Sequence, residues 1–269
     1  MKFINDNSPI PALGGVENDI VCFNHKKAIR FSYDTQPTLK FLFKGQIQYL
    51  VRDKRITLNP GQIILFEEGD NLEVIIDEKA EGISIFFDRG TSDYASSAFL
   101  QSPMPLIECT LKYRLNSFNS HISTGHLSVK ILKRELMLFT EQLNELLNTL
   151  EYKKDNTKID VLYRTMRAKS IIEDSFTNKI STDSLADEVA MSKYHLIRKF
   201  KQLFKTSPQQ YQILKRIELA KELMRNPSLS LTEISSLCGF GNLFHFSKMF
   251  KIYTSFSPLK FRQLNYSVP

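Results

Sequence analysis

Apolar residues follow two different periods along this chain. Between about residues 20 and 90 they form short runs, rich in branched and aromatic side chains, at residues 39–43, 47–51, 63–66, 72–76 and 83–87. Turn signals such as Lys44-Gly45 and Asn59-Pro60-Gly61 separate the runs. Strands spaced this regularly are typical of a small antiparallel barrel or sandwich.

From Leu127 to about Leu150 the period becomes helical. Apolar residues recur at spacings of four and three in a heptad-like seam, which consists of Leu132, Leu136, Phe139, Leu143, Leu146 and Leu150. Such a seam has two interpretations, because an amphipathic helix can pack against its own domain or form a dimer interface. A seam of under three heptads leaves both open.

The polar stretch at residues 151–158 contains few apolar side chains and is therefore the predicted linker. Everything after Ile159 has a helical pattern. We therefore predict an N-terminal domain at residues 1–150, a linker at 151–158 and a helical C-terminal domain at 159–269.

The C-terminal half repeats itself. Residues 185–191 match residues 234–240 at an offset of 49, and residues 192–211 match residues 242–261 at an offset of 50 without a gap. The extra residue is Gly241, in a predicted turn where an insertion costs least. Repetition at a fixed offset indicates that one supersecondary unit occurs twice.

Each copy predicts two short helices. Ser181 and Ser230 are placed to cap the first helix, and Ser192 and Asn242 the second. Small residues between the helices permit the close approach that a helix-turn-helix needs. Ser207 and Ser257, each followed by proline, would cap a further helix.

The second helix of each copy has a buried and an outward face. Leu196, Phe200 and Leu203 form the apolar stripe of the first copy, and Phe246, Phe250 and Tyr253 that of the second. Basic, small and aromatic side chains on an exposed face suit the major groove of DNA. With the caps and neighbouring positions, the predicted DNA-binding residues are Ser192, Lys193, Tyr194, Ile197, Arg198, Lys201, Asn242, Leu243, Phe244, Ser247, Lys248 and Lys251.

A connecting helix is predicted from Pro208 to Arg225, before Asn226-Pro227. Its 18 residues would span roughly 27 Å. A rigid element of that length could hold two recognition helices about one turn of B-DNA apart, ~34 Å.

Charge supports a polyanionic partner. The net charge is +7, but residues 151–269 contain 20 Lys and Arg against 11 Asp and Glu, whereas residues 1–150 contain 16 against 18. The chain has no signal-peptide pattern and no apolar run of membrane-spanning length. Its three cysteines, Cys22, Cys109 and Cys238, are far apart. We therefore expect a cytoplasmic protein with reduced thiols that does not associate with membranes.

Two other classes of protein fit the sequence less well. A cupin-type metalloenzyme needs clustered His and carboxylate ligands, but residues 31–88 contain no His or Cys, and His25, His121 and His126 are scattered. We therefore predict no metal, cofactor or catalytic residue, and no enzyme. An architectural or RNA-binding protein is disfavoured because the doubled motif suits duplex DNA, whereas the A-form major groove does not admit a helix.

The effector is not readable from the sequence. Arg52, Lys54 and Arg55 could suggest an anion, but they lie beside a predicted hairpin turn and are expected to face solvent. The alternating pattern of a strand is also the same whether the strand surrounds a ligand cavity or a solid core.

The repeat resembles a known family. Residues 185–192, Arg198-Lys199-Phe200-Lys201, Cys238-Gly239-Phe240-Gly241-Asn242, His245 through Lys251 and the ending Ser257 through Arg262 resemble the AraC/XylS-type transcriptional regulators. The resemblance covers roughly residues 165–265, and its motifs occur in the family's order and spacing.

The resemblance implies a fold and a function. Members of the family are usually bacterial cytoplasmic activators that contact RNA polymerase at a promoter. The implied fold is α+β and multidomain, with a small cupin-like β-barrel, a helical dimerisation element and a C-terminal all-α domain with two helix-turn-helix units. The barrel often binds a small effector, so duplex DNA, RNA polymerase, a small molecule and a second copy of the chain are the implied partners.

By position, Tyr194, Ile197 and Arg198 would face bases in the first unit, and Phe244, Ser247 and Lys248 in the second. The family commonly has polar residues near Leu243 and Phe244, and this chain departs from that pattern. The second unit is therefore expected to position the protein on phosphate more than to read bases.

Overall fold

A computed structural model describes residues 2–5, 20–69, 71–87, 103–106, 111–113, 115 and 129–266. The chain divides into an N-terminal unit, Met1–Asn148, and a C-terminal unit, Thr149–Pro269. Cys109, His121, His126 and Leu127 lie outside the described residues. Cys22 and Cys238 are buried free thiols.

The N-terminal unit consists of two sheets and one long helix. Its strands are β1 (Lys2–Asn5), β2 (Ile20–His25), β3 (Ile29–Asp34), β4 (Thr38–Lys44), β5 (Ile47–Val51), β6 (Lys54–Leu58), β7 (Gln62–Phe66), β8 (Asn71–Ile76), β9 (Ala80–Phe86) and β10 (Met104–Pro105). The larger sheet has the order β1-β2-β9-β4-β7-β10, and the smaller has the order β3-β8-β5-β6. Only β1 and β2 pair in parallel among these strands.

The predicted barrel closure is wrong. A closed barrel needs every strand to be paired on both sides, but among the described residues each sheet ends in strands paired on one side only. The core lies between the sheets, since Leu42 and Ile64 of the larger sheet cluster with Tyr49 and Val74 of the smaller one. The unit is therefore a sandwich, the other arrangement that the strand spacing allowed.

The heptad-like seam lies on α1 (Val129–Asn148) and just beyond it. Leu132, Leu136, Phe139 and Leu143 are buried in the single chain, and Leu146 is half-buried. Leu150 is also buried but belongs to the C-terminal unit. Burial within one chain favours the interpretation in which the helix packs on its own protein, and a dimer interface remains a prediction.

The described elements of the C-terminal unit are all helices. They are α2 (Asp155–Ser175), α3 (Thr182–Glu188), α4 (Lys193–Phe204), α5 (Pro208–Leu223), α6 (Leu231–Leu237), α7 (Leu243–Thr254) and α8 (Pro258–Tyr266). Residues 155–158 of the predicted linker form the first turn of α2.

The connecting helix is shorter than predicted. It is α5, with 16 residues ending at Leu223, because Met224 caps it and Arg225 and Asn226 already form a turn. At 1.5 Å per residue it spans roughly 24 Å rather than 27 Å.

Candidate nucleic-acid interface

The repeat in the sequence is a repeat in backbone geometry. We call α3 with α4 the first helix pair, and α6 with α7 the second. Each pair turns through a residue of positive φ, Ala190 at 51° and Gly239 at 80°. The next N–H closes each turn in the same way, from Met191 to the Ala186 oxygen at 2.9 Å and from Phe240 to the Ser235 oxygen at 3.0 Å. The two turns are therefore structurally equivalent.

Their surroundings explain why only the second turn has glycine. A Cβ on Gly239 would lie 1.9 Å from the Thr177 carbonyl oxygen, in the loop that follows α2. The equivalent Ala190 is exposed. A left-handed conformation costs an alanine roughly 1–2 kcal/mol. The first turn tolerates that cost, whereas the second also lacks the space for a methyl group.

The predicted caps are present. The Ser192 hydroxyl accepts from the His195 N–H at 3.3 Å, and the Asn242 side-chain oxygen accepts from the His245 N–H at 2.8 Å. Ser230 and Glu233 form the capping box that their spacing predicted. Each second helix therefore begins where the sequence placed it, with its first-turn N–H groups partly satisfied.

Burial orients α4 as its apolar stripe predicted. Leu196 and Phe200 pack in a core with Leu185 and Val189 of α3, and Leu203 is buried as well. The opposite face is open, since Tyr194 is 84% exposed, Arg198 and Lys201 are exposed, and Ile197 is half-buried.

The helix α7 has the same orientation. Phe246 and Phe250 are buried, and Tyr253 is half-buried beside them. On the outward face Phe244 is 81% exposed. The remaining predicted residues there comprise Leu243, Lys248 and Lys251, which are exposed, and Ser247, which is half-buried. Both second helices therefore present cations and an exposed aromatic ring at equivalent positions.

One predicted contact residue already has a partner. The Lys193 ammonium lies 2.8 Å from an Asp183 carboxylate oxygen, and this hydrogen bond raises the pKa of Lys193. Asp183 belongs to α3, so the pair joins the two helices of the first helix pair at the surface. Lys193 therefore takes part in this ion pair and remains exposed.

A contact on α4 was missed by sequence reasoning. The segment before α2 packs against α4, with the Tyr152 hydroxyl 3.0 Å from His195 Nε2 and the Lys199 ammonium 4.5 Å from the Tyr152 ring centre. The Gln202 amide donates to the Thr149 carbonyl at 2.6 Å. Partial burial, followed by the charges of Arg198 and Lys199, lowers the pKa of His195. No periodicity marks Tyr152, which lies in the stretch predicted as a linker.

The connecting helix α5 is fixed at its centre. The Gln212 amide donates to the carbonyls of Phe176 and Asn178 at 3.0 and 2.7 Å, and the Arg216 guanidinium donates to the same two at 2.7 and 2.8 Å. These carbonyls lie just beyond the end of α2, where helical carbonyls lack intrahelical partners. Such anchoring gives α5 a defined position between the two helix pairs.

Residues 185–264, which extend from within α3 to within α8, match a family model described as a helix-turn-helix domain. The HTH-type transcriptional activator RhaS of Enterobacter sp. (strain 638) is 37% identical over 92 residues, which are 34% of this chain and 33% of that protein. This chain therefore matches about one third of that relative's length.

Two solved structures also align with parts or most of this chain. An AraC-type DNA-binding domain from Chromobacterium violaceum is 30% identical, with a TM-score of 0.35, over 39% of this chain and 95% of that one. ToxT from Vibrio cholerae aligns over 91% of this chain and 97% of its own, at 13% identity and a TM-score of 0.36.

The helix pairs and the family match define the class of the C-terminal unit, a DNA-binding domain built on the helix-turn-helix. Within that class the unit is similar to the transcriptional activator RhaS. None of the described helices is long and apolar enough to cross a membrane. In the same part of the chain no three His, Cys, Asp or Glu side chains group as metal ligands would.

Proposed function

We propose that this chain is a sequence-specific transcriptional regulator, an activator of the AraC/XylS type, in which both helix pairs are helix-turn-helix units. The supporting observation is the equivalence of their outward faces. Tyr194 and Arg198 on α4 match Phe244 and Lys248 on α7 in sequence position and exposure. If these faces only contacted water, nothing would require the same kinds of side chain at equivalent positions of both helix pairs.

The two units have different proposed roles, base recognition for the first and phosphate contact for the second. Arg198 can donate two hydrogen bonds to a guanine edge, while the Tyr194 ring and Ile197 offer apolar contact to thymine methyl groups. The second unit begins with Leu243 and Phe244, which cannot donate to bases. Lys248 and Lys251 there suit phosphate, so this unit positions the protein more than it reads sequence.

The connecting helix supports the use of two successive grooves. Its roughly 24 Å of rise, together with the turns at each end, is compatible with recognition helices set about one DNA turn apart, ~34 Å. One chain would then contact a single face of the duplex. A homodimer, as the second interpretation of the seam implies, would double this footprint.

The remaining parts of the proposal follow the class of protein. The N-terminal unit is assigned to effector binding, the chain acts in the cytoplasm where promoter and RNA polymerase are present, and the role is not enzymatic. Activation would then require contact with RNA polymerase at the promoter.

Selection from a random duplex library with the full chain tests the proposal. We expect an enriched motif, and an affinity for it at least 10³-fold above random duplex and duplex RNA at a fixed salt concentration. Equal affinity for all three competitors would contradict sequence-specific regulation. Transcription from a promoter that carries the motif, with and without the protein, then distinguishes activation from repression.

A further inference from the structure

A cavity lies between the two sheets of the N-terminal unit. Twelve inward-facing side chains from β2, β3, β4, β5, β8 and β9 line it, and the space that they enclose is small, about 40 Å³. Most of them are apolar or aromatic, such as Phe23, Phe31, Tyr49 and Ile76. Ligand sites in proteins have this character, an apolar wall with a few convergent polar groups.

Lys40 is the exceptional residue in this wall. It lies on β4 between the inward-facing positions of Thr38 and Leu42, so strand alternation points its side chain between the sheets. It is 5% exposed. Its ammonium donates to the hydroxyl of Ser84, its neighbour across the β4–β9 pair, at 2.7 Å. It also lies 5.1 Å from the Phe86 ring centre and 5.4 Å from that of Tyr33.

None of these contacts supplies a negative charge. Lys40 is the one lysine or arginine among the twelve lining residues, and none of the twelve is Asp or Glu. Burial without a carboxylate lowers the pKa of Lys40 to about 7. A buried amine normally receives an anionic partner or loses its proton. The cavity therefore contains a strong donor that lacks a counter-charge.

Tyr33 provides a second donor in the same place. Its hydroxyl oxygen is buried and has no hydrogen-bond partner in the described part of the chain. Burial also raises the pKa of Tyr33, so the phenol stays protonated and able to donate. An unmade hydrogen bond at a buried hydroxyl is destabilising, because the group has lost its hydrogen bonds to water. A ligand oxygen would relieve this cost.

We infer that this cavity binds a compact organic acid whose carboxylate accepts from Lys40 and Tyr33 and whose apolar body lies against Phe23, Phe31 and Tyr49. A neutral ligand of the same shape would leave Lys40 without a counter-charge. The inference deepens the effector role in the proposed function, on which its regulatory meaning rests. Binding itself involves only the N-terminal unit.

Titration calorimetry on the full chain without DNA tests the inference. The probes are acetate and propanoate, each compared with its primary amide, because the cavity has room for only a few non-hydrogen atoms. We expect the acids to bind about tenfold or more tightly than the amides, because a carboxylate forms a charged hydrogen bond with Lys40 and an amide does not. Equal affinity for acid and amide, or no binding of either acid, would overturn the inference.

Variants assign the effect to Lys40. Lys40→Met keeps the side-chain volume and removes a costly buried amine, so it should fold. It should lose the preference for acids while keeping its affinity for amides. Tyr33→Phe should weaken acid binding several-fold. Lys79→Met, which replaces an exposed lysine of the same unit, should change nothing. Retention of the acid preference in Lys40→Met would sink the inference.

Proton uptake provides a separate measurement. A carboxylate next to Lys40 should raise its pKa, so acid binding at pH 8 should take up close to one proton per ligand in the wild type and none in Lys40→Met. Comparing buffers of different ionisation enthalpy measures this number. His25, Tyr33 and Tyr49 also line the cavity, and the variant retains all three as an internal control. Binding without uptake contradicts the assignment.

Failure here and failure of the proposed function are distinguishable. If the acids bind but DNA selection enriches no motif, the cavity assignment stands and the regulatory function falls. If a motif is enriched but the acids do not bind, the regulator stands and the effector chemistry is wrong.

Discussion

The Tyr152 hydroxyl and His195 Nε2 lie 3.0 Å apart, which joins the segment before α2 to the first turn of the proposed recognition helix α4. The Lys199 ammonium faces the same Tyr152 ring. Whatever displaces residues 149–152 therefore alters the support of the helix that carries Arg198.

This contact predicts a graded loss of stability. Tyr152→Phe should lower the free energy of unfolding by about 1 kcal/mol, because one hydrogen bond is lost and the ring remains over Lys199. Tyr152→Ala also loses the ring contact with Lys199 and should cost about 1–3 kcal/mol. Urea unfolding of the full chain, followed by amide exchange in α4, measures both.

The control for these variants is Tyr113→Phe, which removes the hydroxyl of a tyrosine that is 63% exposed in the N-terminal unit. Its stability should stay within about 0.5 kcal/mol of the wild type. If Tyr152→Ala left amide exchange in α4 unchanged, the segment would not support the helix.

Substitution of the two turn residues should affect stability to very different extents. Gly239→Ala should destabilise the C-terminal unit by more than about 2 kcal/mol, because the methyl group would add a backbone clash with Thr177 to the strain of positive φ. Ala190→Gly should stay within about 1 kcal/mol of the wild type, since relief of strain is offset by greater freedom of the unfolded chain. Thermal unfolding compares them, and equal effects would contradict the assigned role of Thr177.

Arg198 and Lys248 should affect DNA binding differently. Arg198→Ala should weaken binding to the selected motif by about 1–3 kcal/mol and relax the preference at one base pair. Lys248→Ala should weaken binding to all sequences alike and reduce the salt slope by about 1. Titrations at several salt concentrations distinguish the two patterns.

The charge-matched control for these titrations is Lys79→Ala, which removes an exposed cation of the N-terminal unit. Its binding should equal that of the wild type. A uniform loss for Arg198→Ala, with a shallower salt slope, would instead make Arg198 a phosphate contact.

Lys40 predicts a pH dependence of stability. Burial lowers its pKa from 10.5 to about 7, so between these values the unfolded chain binds more protons than the folded one. The free energy of unfolding must then rise with pH across this window. Relative to Lys40→Met, the wild type should gain about 3 kcal/mol between pH 7 and 9.5, at roughly 1.4 kcal/mol per pKa unit.

Urea unfolding of both proteins at several pH values measures this gain. His25, Tyr33 and Tyr49 titrate in both proteins, so their contributions largely cancel in the difference. A difference that did not change with pH would mean that Lys40 keeps its ordinary pKa and is not buried without a counter-charge.

The C-terminal unit was predictable because its signals are local. Local spacing along one helix determines both the caps, at Ser192 and Asn242, and the apolar stripe through Leu196 and Phe200. The repeat contains each of these signals twice. The structure shows these caps and this burial. The length of α5 was overestimated by the turn residues at its end, and the predicted linker extended into the first turn of α2.

The N-terminal unit depends on partners distant in the chain. The runs of branched and aromatic residues by themselves determined that strands form, but not whether the sheets close, which depends on pairing between strands far apart in sequence. The same limit applies to Tyr152, whose partner His195 is 43 residues away.

The sequence by itself therefore determined the doubled helix pairs, their caps and the outward cations that suit DNA. Only the tertiary structure decided that the sheets form a sandwich and that Lys40, within an apolar run, faces a cavity. The physical reason is the period of a strand. Both faces of β4 are buried, so hydrophobicity could not tell which residues point between the sheets until β4 had paired with β7 and β9.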